Sequence, residues 1–450
     1  MAELVFFGGV NEIGGNKILL SDKETDIFLD FGQNFEKENN FFRYPYLAPR
    51  EEKHLLSLNI LPAIPGIYKN DTEQNTRVKG VLISHGHADH ANYVRYLKSD
   101  IELFCSELTR EIIIARDLSS PTHSVEYAIA KLTQKKGEEI FYKINPLAAA
   151  KTQEIGNMKV TALETDHSIP GSCGYLITGS GFSLAYTGDL RFHGSRKDAS
   201  DKFVEEAAKC KPDGLIIEGT NIVNAKVNTE SDVRTKAEEL VSKSQNLVLV
   251  SFSLADFDRM STFYDIAKNT GRKLVIPMKL AFMVSRLSRK MKTIDLNDPD
   301  VYIYCREKGT TYEWEKEVLN KYSNVKSCID VEKEQAKLLM VASFYDMNEM
   351  CEIKPRAGSL FIESQSEPFN EEMELDHDKL LNWLDCYGLP LFNIHSSGHA
   401  FPHQLKEAIE RISPKKVFLV HTERPKLYAH YIEDLKIGTI SPVVGERYRI

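Results

Sequence analysis

The chain has 450 residues, which at roughly 100–200 residues per domain excludes one small domain and implies two domains or one domain interrupted by another. Hydrophobic residues make up 42% of it, enough for a sizeable core and too many for a disordered polymer. Lys and Arg number 57 against 65 Asp and Glu, a formal net charge of −8, so composition alone supplies no pull toward polyphosphates.

The seven cysteines (Cys105, Cys173, Cys210, Cys305, Cys328, Cys351 and Cys386) are dispersed and never form a CxxC pair. That argues against a disulfide framework or a zinc ribbon, and for a reducing, cytoplasmic setting. The opening MAELVFFGGVNEIGG lacks a basic n-region and reads as a first strand. No stretch reaches the ~18 apolar residues that a membrane-spanning helix needs.

In chain order, LVFFGG, NKILLSD, DIFLDFG, VKGVLISHG, IELFC, KVTALETD, GYLITG and FSLAYTGD are short apolar runs bounded by Gly, Asp and Asn, the signature of strands and turns. Residues 91–97 and 106–116 have helical spacing. From about residue 226 the texture becomes a regular alternation of strands (LVLVSFS, KLVIP, VYIYC, SLFIES) with helices (ADFDRMSTFYDIAK, AFMVSRLSRKMK, YEWEKEVLNKY, HDKLLNWL), which predicts a parallel sheet of βα units. LPLFNIHSSGH, KKVFLVHTE and ISPVVGERYRI return to strand-and-turn texture. The expected organisation is a first part at 1–225, an inserted domain at 226–388 and a completing part at 389–450.

The densest chemistry is VLISHGHADHANYV, which places His85, His87, Asp89 and His90 between a strand and a helix start. In an extended turn alternate side chains project the same way, so His85 and His87 can grip one ion while Asp89 and His90 turn toward a second. Imidazole and carboxylate suit a borderline divalent ion such as Zn²⁺. His167 in TALETDHSIPG, Asp189 in LAYTGDLRF and His421 after KKVFLV each stand where an apolar strand runs out. Singly, His167 reads equally as a loop histidine and Asp189 as a turn former.

Together, HxHxDH at 85–90, His167, the YTGD ending in Asp189, and Asp30 in IFLDFG resemble the motif series of the metallo-β-lactamase superfamily. Glu218 in LIIEGTN, His399 in HSSGHA and His421 in LVHTE resemble the further motifs of its β-CASP nucleases, and GGVNEIGGN with HSIPGS is most similar to RNase J. The resemblance runs from about residue 4 to 450. It departs at 36–69 and at the C-terminus, where the chain stops short of the further domain of bacterial RNase J; oligomerisation through that domain is therefore not implied, and a homodimer remains only compatible.

The resemblance implies an αββα sandwich interrupted by a β-CASP domain with a parallel α/β sheet. It implies two divalent cations, Zn²⁺ first with Mn²⁺ or Mg²⁺ as alternatives: His85, His87 and His167 on one, Asp89, His90 and His421 on the other, Asp189 bridging, and Asp30 orienting a ligand. A metal-activated hydroxide would attack an RNA phosphodiester, with 5′-3′ exonuclease action and endonuclease action as a second mode. RNA rather than DNA follows from His421, since DNA-repair relatives tend to carry an apolar residue there. His399, oriented by Glu218, would give the leaving oxygen a proton, or alternatively orient a ligand. Ser396, Ser397, Gly398 and His399 form a phosphate-binding turn, or a plain tight turn. Cys173, near this set, reads as a small buried hydrophobe.

The acid-free run 272–292, with Arg272, Lys273, Lys279, Arg286, Arg289, Lys290 and Lys292, is expected to meet RNA through Arg286, Arg289 and Lys290, or to be a solvated helix face. Acids concentrate at 367–378 (Glu367, Glu371, Glu372, Glu374, Asp376, Asp378). The alternatives to a ribonuclease are a metallo-hydrolase of a small ester or phosphodiester and a non-catalytic RNA-binding scaffold.

Overall fold

The computed structural model describes residues 2–44, 46–73, 75–120, 131–135, 138–223, 227–366 and 371–450. Two compact units emerge: Met1–Ala225 with Gly398–Ile450, and Lys226–Ser397. The strand Leu391–Asn393 pairs in parallel with Leu360–Glu363. The inserted unit therefore runs past residue 389, to Ser397, because the first strand after that position extends the inserted sheet; the junction at 225 and 226 lies outside the described residues.

The larger unit is a four-layer αββα sandwich. Its first sheet runs, in spatial order, Arg447–Arg449, Glu3–Gly8, Lys17–Asp22, Thr25–Phe31, Val78–Leu82, Glu102–Ser106 and Ile144–Leu147; its second runs Gly438–Ile440, Lys416–Leu419, Gly214–Ile217, Ser183–Tyr186, Cys173–Thr178, Met158–Glu164 and Thr152–Ile155. Strand alternation sends Leu4, Phe6, Ile18, Leu20, Ile27 and Leu29 of the first sheet against Val160, Tyr175, Ile177, Leu184 and Ile216 of the second, all buried in one core. The opposite faces are covered by helices. Phe203, Val204 and Ala207 of Lys197–Cys210 and Leu405, Ala408 and Ile409 of Pro402–Ile412 pack on the second sheet. Residues after the insertion supply two strands of the second sheet, and Arg449 pairs with Glu3 in the first.

Local sequence explains several element ends. Ser106 accepts from the Thr109 backbone N–H and caps the helix Glu107–Leu118. Residues 91–97, expected as a helix, form a 3₁₀ turn, Asn92–Tyr96, with every side chain buried: burying one apolar cluster after the His-rich loop leaves no exposed face for an amphipathic helix. The 36–69 segment covers the outer face of the first sheet with Leu55, Ile60, Leu61, Ile67 and Tyr68. It is pinned by Glu38, fully buried, whose carboxylate accepts from Gln33 Nε2 at 2.5 Å, Tyr44 Oη at 2.8 Å and Tyr93 Oη at 2.6 Å.

The inserted unit is an all-parallel seven-stranded sheet, ordered Val325–Lys326, Val301–Tyr304, Lys273–Pro277, Leu338–Val341, Val248–Ser251, Leu360–Glu363 and Leu391–Asn393. Its central strands are buried throughout, as a parallel sheet covered on both faces requires.

Lys17 stands out within the larger unit at 1% exposure. Its ammonium donates to the carbonyls of Gly15 at 2.7 Å and Gly32 at 3.0 Å and lies over the Tyr93 ring. Burial pulls its pKa down to about 7, against a smaller opposing pull from Glu12. Between that value and the ordinary 10.5 the unfolded chain binds a proton that the fold does not, so folding is disfavoured as pH falls through this window. The stability of the wild type relative to Lys17→Met is expected to rise from pH 7 to 10 by up to about 1.4 kcal/mol per pH unit and to be flat below pH 7; urea unfolding of both proteins across pH 6–10 measures it.

Candidate metal centre

The site residues of the larger unit come from the C-terminal ends of strands along one edge of both sheets. Asp30 closes Thr25–Phe31, and the 84–90 segment follows Val78–Leu82. His167 follows Met158–Glu164, Asp189 follows Ser183–Tyr186, Glu218 follows Gly214–Ile217 and His421 follows Lys416–Leu419. His87 is extended (φ −73°, ψ 151°) and the short helix Ala88–Ala91 begins immediately after it, which is why His85 and His87 face one way while Asp89 and His90 turn another.

Two groups of ligand atoms result, each lying within 4.8 Å: His85, His87, His167 and Asp189 in one, Asp89, His90 and His421 in the other. In the first, His85 Nε2 is 3.0 Å and His167 Nε2 3.2 Å from His87 Nδ1. In the second, His421 Nε2 is 3.3 Å from His90 Nε2 and 3.2 Å from Asp89 Oδ2. Asp189 Oδ2 lies between the groups, 3.2 Å from His90, 3.6 Å from His85 and 3.9 Å from both His167 and His421.

The far nitrogens explain the inward ones. His90 Nδ1 meets Asp30 at 2.7 Å, His85 Nδ1 meets Ser84 Oγ at 3.0 Å, His167 Nδ1 meets the Gly398 carbonyl at 2.5 Å and His421 Nδ1 meets Thr220 Oγ1 at 2.9 Å. Each outer contact holds the proton on Nδ1 and leaves Nε2 as a lone pair aimed inward, the arrangement that ligating histidines require. Burial keeps His85 and His167 well below the usual histidine pKa and takes His87 down to about 4, so all three are neutral. Burial also opposes a charge on His90, yet Asp189, Asp89 and Asp30 overrule it and hold its pKa well above the ordinary value. Ring nitrogens facing one another at 3.0–3.3 Å, a carboxylate oxygen central to both groups and a local field that favours positive charge fit divalent cations.

Beside this cluster, His399 Nδ1 is 3.4 Å from Glu218 Oε2 and 3.8 Å from Asp189 Oδ2. Burial lowers its pKa, but Glu218 and then Asp189 outweigh that and raise it to about 9. Glu218, 1% exposed, is itself oriented by the backbone N–H groups of Thr220 at 2.9 Å and Ala400 at 3.3 Å.

Two glycines permit the close approach of the Asp89 loop. A Cβ on Gly32 would stand 1.6 Å from the Asp89 carbonyl oxygen, and Gly14, at φ +78°, faces the Asp89 side chain at 2.8 Å. Sequence reading left three supports without a role: Ser84 with its Asp30 contacts, Tyr186 inside the YTGD motif, which donates to Asp30 at 2.5 Å, and Thr220 after the LIIEG strand. Cys173 is buried, and burial pushes its thiol up to about 12.

Other expected residues lie in the inserted unit. Ser396 is 1% exposed and its hydroxyl donates to the Asn228 carbonyl at 2.7 Å, so it is committed internally, while Ser397 is half-buried. The 272–292 run does not make one basic face. Arg272 is buried, donating to the carbonyls of Ser244, Asn246 and Leu338. The helix Met278–Leu287 is almost wholly buried, Arg286 lies over the Phe282 ring, and only beyond the helix do Arg289 and Lys290 reach the surface. Glu367 of the acidic run lies outside the described residues, and the acids from 371 onward open the helix Glu371–Tyr387.

Asp30 accepts from Ser84 N at 2.6 Å, Ser84 Oγ at 2.8 Å, Tyr186 Oη and His90 Nδ1. Asp30→Ala strands all four donors in a dry interior. Urea unfolding of the chelator-treated protein is expected to show a loss of about 3–5 kcal/mol; a change within experimental error would remove Asp30 from its place as the anchor of the site.

A family model described as a beta-lactamase superfamily domain matches residues 62–221, and one described as a Zn-dependent metallo-hydrolase RNA specificity domain matches residues 391–442. Ribonuclease J2 of Bacillus subtilis is 22% identical over 438 residues, covering 95% of this chain and 70% of its own length. Ribonuclease J 2 of Streptococcus pyogenes is 24% identical over 309 residues, covering 67% and 50%, so the chain spans between half and about 70% of these relatives. A crystal structure of a protein of unknown function from Enterococcus faecalis V583 superposes with a TM-score of 0.77 at 21% identity, covering 99% of both chains, and shares the fold. With the αββα sandwich, the inserted parallel sheet and the His/Asp cluster at the strand ends, these matches make the chain similar to the metallo-β-lactamase superfamily and, over most of its length, to the RNase J-like branch of its β-CASP group.

Proposed function

We propose that this protein is a metal-dependent ribonuclease of the RNase J type that hydrolyses RNA phosphodiester bonds, acting from the 5′ end and secondarily at internal bonds. The observation that carries this reading is the gathering of five inward histidine nitrogens and the carboxylates of Asp89 and Asp189 into two adjacent groups, with His399 and Glu218 beside them. His85, His87 and His167 would hold one cation and Asp89, His90 and His421 the other, with Asp189 available to both groups. Zn²⁺ is the ion favoured by this nitrogen-rich set, with Mn²⁺ or Mg²⁺ as alternatives. Two such ions supply Lewis acidity, lowering the pKa of a water and stabilising charge on a phosphoryl oxygen.

The protein's own groups do the remaining work. Asp30, Ser84, Thr220 and the Gly398 carbonyl hold the ligating rings in one tautomer. His399, whose charged form is stabilised by Glu218 and Asp189, donates a proton to the departing ribose oxygen. Gly398, which precedes it, would let its backbone N–H approach a phosphate of the substrate. The seven cysteines are free thiols, which supports a reducing cytoplasm as the place of action. No helix among the described residues is long and apolar enough to cross a membrane.

Purified protein given two equivalents of Zn²⁺ or Mn²⁺ is expected to degrade 5′-labelled, 5′-monophosphorylated RNA with early release of mononucleotide, and Asp89→Ala with His90→Ala to fall to background. RNA left intact while a small ester is hydrolysed would replace this reading with that of a small-molecule hydrolase; absence of bound metal in elemental analysis would leave a scaffold.

His399→Ala is expected to lower kcat on RNA by about 10²–10⁴ with metal content unchanged. An ester with a 4-nitrophenolate leaving group needs no proton, so on it the variant should recover most of the lost rate. An equal loss on both substrates would make His399 an orienting residue instead.

A further inference from the structure

Strand alternation turns Ile18 and Leu20 of Lys17–Asp22 into the core between the sheets, so Lys17 points with Leu19 to the opposite face, where its ammonium lies over the Tyr93 ring. A buried ammonium is tolerated only where acceptors meet it, and those met here are main-chain carbonyls. Gly15, at 2.7 Å, belongs to the turn that leads into this strand; Gly32, at 3.0 Å, belongs to the turn that leaves Thr25–Phe31. The same two turns are joined by one backbone bond, from the Gly32 N–H to the Asn16 carbonyl at 2.9 Å.

Both turns grip one short stretch of the His-rich loop. The Asn16 N–H donates to the Asp89 carbonyl at 3.1 Å, and the Gln33 N–H donates to the Ala88 carbonyl at 3.0 Å. The packing leaves no slack: a Cβ on Gly32 would stand 1.6 Å from the Asp89 carbonyl oxygen and 2.6 Å from the His90 amide nitrogen, and one on Gly15 would meet Asn34 at 3.0 Å. The His85 and His167 rings are anchored elsewhere, on the Ser84 hydroxyl and the Gly398 carbonyl. The two turns thus close on residues 88–90 like jaws, and the Lys17 ammonium ties one jaw to the other.

We propose that Lys17 is a positioning residue for one of the two cation groups. By fixing both turns against the backbone of residues 88–90 it sets the cation affinity of the Asp89, His90 and His421 group and leaves that of the His85, His87 and His167 group unchanged. The inference rests on the metal-binding reading above and is independent of what the protein cleaves. A contact that orients a ligand from behind typically carries about 10–100-fold in metal affinity. Methionine at this position has a comparable length and an apolar end, but it donates to neither carbonyl, so the jaws keep only the bond between Gly32 and Asn16.

The test is a Zn²⁺ titration of the full, metal-stripped chain at pH 7 in competition with a chromophoric chelator, with no RNA present. His87→Ala cripples the first group and leaves the Asp89 group to be measured; His421→Ala does the reverse. Adding Lys17→Met is expected to weaken Zn²⁺ binding about tenfold or more in the His87→Ala background and to leave it unchanged in the His421→Ala background. Lys17→Gln, which keeps an amide donor, is expected to lie between, and it decides the matter if the methionine variant does not fold. Leu20→Ala, on the same strand but facing the core between the sheets, lowers stability without touching either turn and should alter neither affinity. Equal weakening in both backgrounds, no weakening in either, or the same selective loss from Leu20→Ala overturns the proposal. No Zn²⁺ uptake by the wild type would fail the metal reading and this inference with it, whereas uptake of two ions that Lys17→Met leaves unchanged would fail the inference alone.

Discussion

A single buried carboxylate organises the edge that carries the His/Asp cluster. Asp30 sits at the end of a strand in the left-handed region, at φ +57°, and this turn of the backbone aims its side chain at the His-rich loop. There it accepts from the Ser84 amide, the Ser84 hydroxyl, the Tyr186 hydroxyl and His90 Nδ1. A dry carboxylate is tolerable only when its lone pairs are occupied. The four donors belong to both sheets, so satisfying one charge fixes the sandwich and the loop to each other. Through Ser84 the constraint passes to His85, and through His90 it passes to the contact with Asp189.

The same logic repeats around the cluster. Four imidazoles are gripped on their outer nitrogens by an acid, two hydroxyls or a carbonyl, and the inner nitrogens are brought together by default. Gathered with the Asp89 and Asp189 carboxylates, these nitrogens make a set that fits divalent cations. The surrounding loops are held by equally specific means. Lys17 clamps the carbonyls of Gly15 and Gly32, and glycine at 14 and 32 keeps Cβ atoms away from Asp89. The glycine-rich opening of the chain therefore makes room for Asp89, seventy-odd residues later.

The inserted unit follows a different rule. Both faces of its sheet are occupied by helices, so the strand tips are the places left for a ligand. Composition misleads in this region: Arg272 satisfies three backbone carbonyls, Lys273 donates to the Pro299 carbonyl and lies over the Tyr302 ring, and the helix after them is apolar on nearly every side. An acid-free run of cations in sequence is spread in space over the interior, one sheet edge and the other.

The sequence by itself determined what is local or periodic. The HxHxDH spacing, the strands that lead into His167, Asp189, Glu218 and His421, and the βα alternation of the insertion were all legible, because each depends on neighbours a few residues away. Tertiary structure alone decided which nitrogen each histidine turns inward, since Thr220, Gly398 and Tyr186 reach their partners across large sequence separations. It alone showed that 36–69 is a cover secured by the buried Glu38, and that the insertion continues to Ser397. The strand order of the inserted sheet is likewise invisible in the chain. A linear pattern encodes period and burial, whereas strand order and hydrogen-bond partners are chosen only when distant segments compete for the same core.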